Sequence, residues 1–200
     1  ELTTRLLGIN GHINIYSSFN EINSEDIIFL KDKNEKYKLN PVTQTQALLI
    51  SQNYSQGVFL KGYDNKYIYE DHFLKNSIIK GSLFGDNLND VVIGYALSNK
   101  LRLDINQKFK IAIPKTDKTI FGNIPRFKTL KIVGIFNLGM YEYDSNFIFT
   151  NSKIANKLLL INENNFNQLE IFIDDPSSVE IIQKKIDNKI EKNNLNFYTY

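Results

Sequence analysis

The sequence predicts an α+β fold: a ferredoxin-like or split β-α-β sheet built from both ends of the chain, with a small β-rich α/β subdomain inserted between them. Three observations predict it. A period-two run, a capped apolar segment and further β-rich runs fill the first part of the chain. Near the other end a β-rich run, an Asp-Asp-Pro helix start and a one-sided apolar stripe follow one another. Between them, short β-branched runs alternate with helical patterns. The boundaries are expected near Asn76 and Phe166, giving 1–75 with 166–200 as one subdomain and 76–165 as the other.

Residues 12–17, His-Ile-Asn-Ile-Tyr-Ser, alternate apolar and polar side chains, the period of a half-buried strand. Asn23 and Ser24 are N-cap candidates, Glu25 and Asp26 suit the positive end of a helix dipole, and Ile27, Ile28 and Leu30 begin an apolar face. A helix to about Lys36 is therefore expected. Pro41 interrupts, and two strands follow over 42–51 and 57–63, separated by an Asn-Tyr-Ser-Gln turn. In the middle, 91–94 reads as a buried strand and 95–103 as an amphipathic helix. Residues 109–113 form a strand that Pro114, which cannot donate to a ladder, is expected to end. Further strands are expected over 130–136 and 146–150, with Ser152 capping a helix through Leu160. At the C-terminal end, 169–173 reads as a strand and Asp174-Asp175-Pro176 as a helix start; Val179, Ile182, Ile186 and Ile190 share one helical face, and 195–200 closes as a strand.

Composition narrows the function classes. The 200 residues are 42% hydrophobic and 23% charged, which fits one compact domain or two small ones. A net charge of +2, from 24 basic and 22 acidic residues, is too small an excess to hold nucleic acid by phosphate neutralisation. With no cysteine, neither a disulfide framework nor a thiolate metal site can form, and the compartment stays open on this criterion. No apolar run approaches the roughly 18 to 20 residues of a membrane helix, and no signal segment opens the chain. The start at Glu1, without Met, and the end at Tyr200 inside an apparent strand lead us to expect a fragment of a longer protein.

Enzyme signatures are missing. There is no Gly-x-Ser-x-Gly elbow, no phosphate-binding Gly-rich loop and no His-Glu-x-x-His, so no catalytic residue, cofactor or metal is assigned. His12 and His72 lie far apart in sequence and are expected to be surface or locally hydrogen-bonded histidines. Glu70-Asp71 lie side by side, and neighbours in a strand point to opposite faces. Asp174-Asp175 is explained by helix capping before Pro176. Gly8-Ile9-Asn10-Gly11 precedes a strand, the wrong order for a dinucleotide fingerprint.

The segment 114–128 joins two predicted strands and is long for a hairpin connection. It carries Lys115, Lys118, Arg126 and Lys128, and it places Ile120, Phe121 and Ile124 where a bare loop is usually polar. Leaving such side chains in water forfeits roughly 1.5–3 kcal/mol of burial each, so they point either to a partner or to a loop folded back onto its own core.

Farther along lies the hexapeptide Gly139-Met140-Tyr141-Glu142-Tyr143-Asp144. Together with Val133-Gly134-Ile135-Phe136 ahead of it, Asn10-Gly11-His12, Val92-Ile93-Gly94 with Leu97 and Leu101, and Gly122 to Arg126, it resembles the periplasmic domain of the LolC/LolE lipoprotein-releasing permeases, relatives of MacB-type ABC transporters. Where family members often carry Thr-Pro before a residue and Gly, this chain has Thr119-Ile120-Phe121-Gly122 and lacks the backbone angle that proline fixes.

The resemblance implies a periplasmic domain of a bacterial inner-membrane protein. The end-built part would be a porter-like subdomain, and the insert a Sabre-like subdomain with a hook-like loop at 114–128. It implies an ABC transporter permease that releases outer-membrane lipoproteins and passes them to the periplasmic carrier LolA. ATP hydrolysis would be on a separate LolD-type subunit, and the permease would form a homodimer or pair with a sister subunit. The hook residues implied are Thr119, Ile120, Phe121, Gly122, Asn123, Ile124, Pro125, Arg126 and Lys128. Gly139, Met140, Tyr141, Glu142, Tyr143 and Asp144 are expected to form a structural turn in which Glu142 and Asp144 pair with nearby bases and the tyrosines pack. The alternative is a mechanotransmission domain of another MacB-like or FtsX-like permease, coupling ATP turnover to an efflux or cell-wall partner. A free-standing small-ligand binding protein would instead show a large apolar pocket with a few convergent polar groups.

Overall fold

The computed structural model describes residues 9–18, 21–31, 37–52, 54–65, 72–85, 87–119 and 122–200, with only the backbone described at 72, 114–119 and 122–124. The strands are β1 (Ile13–Ser17), β2 (Tyr37–Ser51), β3 (Tyr54–Tyr63), β4 (Ile78–Gly81), β5 (Asp90–Gly94), β6 (Lys108–Thr119), β7 (Gly122–Phe136), β8 (Phe147–Asn151), β9 (Gln168–Ile173) and β10 (Phe197–Thr199). The helices are α1 (Ser24–Leu30), α2 (His72–Ser77), α3 (Tyr95–Leu101), α4 (Tyr141–Asn146), α5 (Ser152–Leu159) and α6 (Val179–Lys192), the last entered through a 3-10 turn at Pro176–Ser178. Among the described residues no helix is long and apolar enough to cross a membrane.

The chain divides into two compact units, Glu1–Thr43 with Asn164–Tyr200, and Gln44–Glu163. The first boundary thus falls inside β2 rather than near Asn76, and strand pairing is the reason. From Leu48 onward β2 pairs with β6, and β3 pairs with β8, so both runs belong to the inserted unit.

In the end-built unit the strand order is β10-β1-β9-β2, antiparallel throughout. Alternation places Ile13, Ile15, Leu169, Ile171 and Ile173 in one core with Ile27 and Leu30 of α1 and with Ile182, Ile186 and Ile190 of α6. The helical stripe read from the sequence is therefore the buried face of α6. Helix α1 begins with a capping box: Asn23 Oδ1 accepts the Asp26 N–H at 2.9 Å, and the Asp26 carboxylate accepts the Asn23 N–H at 3.0 Å. It ends at Leu30 instead of near Lys36, with Lys31 extended and the Tyr37 hydroxyl donating to the Leu30 carbonyl at 2.7 Å. The six residues after Leu30 are all polar or charged and offer a longer helix nothing to bury. Pro41 does not interrupt β2. It lies within the strand, opposite Leu169 of β9.

In the inserted unit the pairing runs β2-β3-β8-β5-β7, and β6 bonds to both β7 and β2, so it returns to its start as a ring; β4 adds to the free side of β7. The β3–β8 and β5–β7 pairs are parallel. Inward-facing Leu49, Leu60, Ile93, Ile111, Leu130 and Ile148 meet in one core, to which α3 adds Leu97 and Leu101 and α5 adds Ile154 and Leu158. On the outer face Phe147 stacks on Phe59 and Tyr143, and Phe149 on Tyr63.

Several local expectations are corrected here. The β2–β3 reversal occurs at Gln52, which takes a positive φ of 45°, so Tyr54, Ser55 and Gln56 belong to β3 instead of a turn. Helix α3 stops at Leu101 because Arg102 adopts the left-handed conformation. Asn151, not Ser152, caps α5 by accepting the Lys153 N–H at 2.9 Å, and the helix ends at Leu159 with Leu160 left-handed. Pro114 does not end β6: the ladder shifts register between Ile113 and Thr116 and continues to Thr119.

Candidate functional site

The segment expected to be a long loop is a paired ribbon. Beyond Ile113 and Arg126, β6 and β7 remain paired through Thr116 with Pro125, Asp117 with Ile124, Lys118 with Asn123 and Thr119 with Gly122. The last β2 partner on β6 is Ala112, and β5 meets β7 only from Lys131 onward. Among the described residues the ribbon therefore pairs only with itself. Ile120 and Phe121 lie outside the described residues, as do the side chains of Thr119, Asn123 and Ile124.

At the ribbon's base, Arg126 and Lys128 continue the inward row of Leu130 and Ile132, one strand period apart. Both side chains are half-buried. The Arg126 guanidinium donates from Nη1 to the Leu158 carbonyl at 3.0 Å, in the last turn of α5, so it ties the ribbon to the negative end of that helix. Burial lowers the pKa of Lys128, and the charge of neighbouring Lys157 acts in the same direction. The opposite row carries Phe127, 56% exposed, which sequence reading did not select. Strand alternation was the available signal, but it needed Pro125 to Lys128 to be strand and not loop.

Gly139 to Asp144 is a turn running into α4. The Asp144 carboxylate accepts the N–H of Leu138 at 2.8 Å and that of Met140 at 3.1 Å, while Asn137 Oδ1 accepts the Gly139 N–H at 2.9 Å. Gly139 has φ +72°, the left-handed geometry this reversal needs. Burial raises the Asp144 pKa, and the backbone donors oppose it. The partners of Asp144 are thus backbone groups and not the bases expected. Glu142 and Tyr141 are exposed, Tyr141 at 73%, and only Tyr143 packs, on Phe147 at a centroid distance of 4.8 Å. The close fit of this turn explains Gly94: a Cβ there would lie 2.1 Å from the Asp144 carbonyl oxygen.

The remaining candidates, where they are described, make local bonds. His12 Nδ1 accepts the Ile173 N–H at 3.1 Å, which bonds it to the neighbouring strand, and burial lowers its pKa. Asp175 caps the 3-10 turn, accepting from the Ser177 N–H at 3.0 Å. Glu70, Asp71 and Gly8 lie outside the described residues, as does the His72 side chain. Among the described residues no group of three His, Cys, Asp or Glu is placed to hold a metal.

No family model matches the chain. In structure it is similar to the extracellular domain of the noncanonic ABC-type transporter YknZ from Gram-positive bacteria, with a TM-score of 0.61 at 10% identity over 94% of this chain and 98% of that one. It is equally similar to the periplasmic region of MacB from Actinobacillus actinomycetemcomitans, with a TM-score of 0.61 at 11% identity over 94% of this chain and 87% of that one. The α+β fold is therefore the one these two domains share. In sequence, the chain is similar to the lipoprotein-releasing system transmembrane protein LolC of Neisseria meningitidis serogroup B, 25% identical over 122 residues. That match covers 59% of this chain and 29% of the relative. The chain thus shares the fold of these two transporter domains, and part of its sequence is similar to a stretch of LolC.

Proposed function

We propose that this chain is the periplasmic domain of an inner-membrane ABC transporter permease that releases lipoproteins and passes them to a LolA-type carrier, gripped by the ribbon. Thr119, Ile120, Phe121, Gly122, Asn123, Ile124 and Pro125 form the contact, with Arg126 and Lys128 at its base. The observation that carries this reading is the self-paired ribbon at 113–126, in a chain whose sequence likeness is to a lipoprotein-releasing protein. Among the described residues the backbone of the ribbon pairs only with itself, which supports a partner-binding role, and basic residues along the segment would steer an acidic surface toward it. The chain performs no catalysis in this reading. ATP hydrolysis belongs to a separate LolD-type subunit, and two permease copies or a sister pair complete the transporter. The porter-like and Sabre-like subdomains correspond to the end-built and inserted units.

A second reading is favoured by the likeness to YknZ and MacB: a mechanotransmission domain that couples ATP turnover to an efflux or cell-wall partner. A photocrosslinking residue at Asn123 of the full-length protein in cells separates the two. Adducts with a LolA-type carrier are expected. Adducts confined to a membrane-fusion or cell-wall protein would replace the first reading with the second.

A further inference from the structure

On the outer face of the inserted unit, Leu48 and Ile50 of β2, Phe59 of β3, Ala112 of β6, and Pro125 and Phe127 of β7 bound a groove of about 560 Å³. Leu48 and Phe127 are 40% and 56% exposed. Register fixes what lies at one end of it. Ala112 stands between Leu48 and Phe127; two residues along, on the same face, Lys110 stands between Ile50 and Thr129; two further, Lys108 faces Lys131. Lys108 and Lys110 are exposed and Lys131 is half-buried; Asp90 of β5 stands beside Lys131 in register, and no ion pair joins any of the three lysines among the described residues. An apolar strip thus ends in three cations beside one carboxylate, a net positive end.

We propose that this groove takes one acyl chain of an anionic phospholipid, the chain lying along Leu48, Phe59 and Phe127 and the phosphate head against Lys110, Lys108 and Lys131. The apolar floor and the cations at one end match an amphiphile with its charge at one end. An extended acidic peptide fits poorly. Over 110–112, β6 is bonded to β2 on one side and β7 on the other, so no open edge exists there to receive a peptide backbone. Its amides would be desolvated against apolar side chains without partners. The proposal goes beyond the transport reading and stands whether or not a carrier binds the ribbon.

The test is titration of the 200-residue chain with dihexanoyl-phosphatidylglycerol below its micelle concentration, followed by amide NMR shifts. Saturable shifts are expected at 46–50, 110–112 and 127–131, with dihexanoyl-phosphatidylcholine binding about tenfold more weakly. Lys110→Glu should weaken the phosphatidylglycerol complex about tenfold and leave the phosphatidylcholine complex unchanged. Leu48→Asp should remove both. Unsaturable or scattered shifts, or equal binding of the two lipids by the native chain, would overturn the proposal. So would displacement by an oligoglutamate peptide that carries no acyl chain, which would assign the surface to an acidic protein. Should Leu48→Asp unfold the chain, the exposed Lys110 variant still decides.

Discussion

The Asp144 carboxylate orders the turn before α4 by accepting two backbone N–H groups. Asp144→Ala would leave those buried donors without an acceptor and is expected to lower unfolding free energy by about 1–3 kcal/mol in urea denaturation. The pH dependence has a definite sign. Because burial raises its pKa, the folded chain holds this proton more tightly than the unfolded one, whose ordinary value is 3.8. Its contribution is full below that value and is lost as pH rises through the folded pKa, so the stability of the native chain relative to Asp144→Asn should fall as pH rises above about 4. His12 acts in the opposite direction. Its pKa is lowered, so the unfolded chain binds the proton first as pH drops below the ordinary 6.5. The stability it contributes is complete above that value and is lost as pH falls through the lowered one. Denaturation curves from about pH 5 to pH 7.5 should therefore be flatter for His12→Asn than for the native chain.

At the scale of elements, what was legible follows from which rules are local. The stripe Ile182, Ile186, Ile190 and the cap at Asn23 depend on residues within two turns, and both read correctly. Pro114 misleads because the rule that proline ends a strand assumes a regular ladder, whereas here a register shift absorbs it. Strand β4 has one half-buried and three exposed residues, so it shows no alternation to read. Gly94 joins β5 to α3 beneath the α4 turn, a fit that only the folded chain reveals. Gly94→Ala would push a Cβ to 2.1 Å from the Asp144 carbonyl oxygen, and a loss of about 1–3 kcal/mol or more is expected, measured as a lowered urea midpoint with unchanged slope.

For the whole molecule, the closing of the ring and the placement of the unit boundary depend on contacts remote in sequence. β2 meets β6 about sixty residues away, as Leu48 opposite Ala112 shows, and no pattern within 42–63 announces that partner. Residues 114–128 stood out in the sequence as a stretch, while their form as a ribbon did not, nor did the exposure of Phe127 on its other face. The measurement that bears most directly on function is the affinity of the purified chain for a LolA-type carrier from the same cell, compared with that of Phe121→Ala and Ile124→Asp. Binding by the native chain and its loss in both variants, each folded by circular dichroism, is the predicted result. Failure of the folded native chain to bind, or binding that both variants retain, would contradict the ribbon as the carrier site.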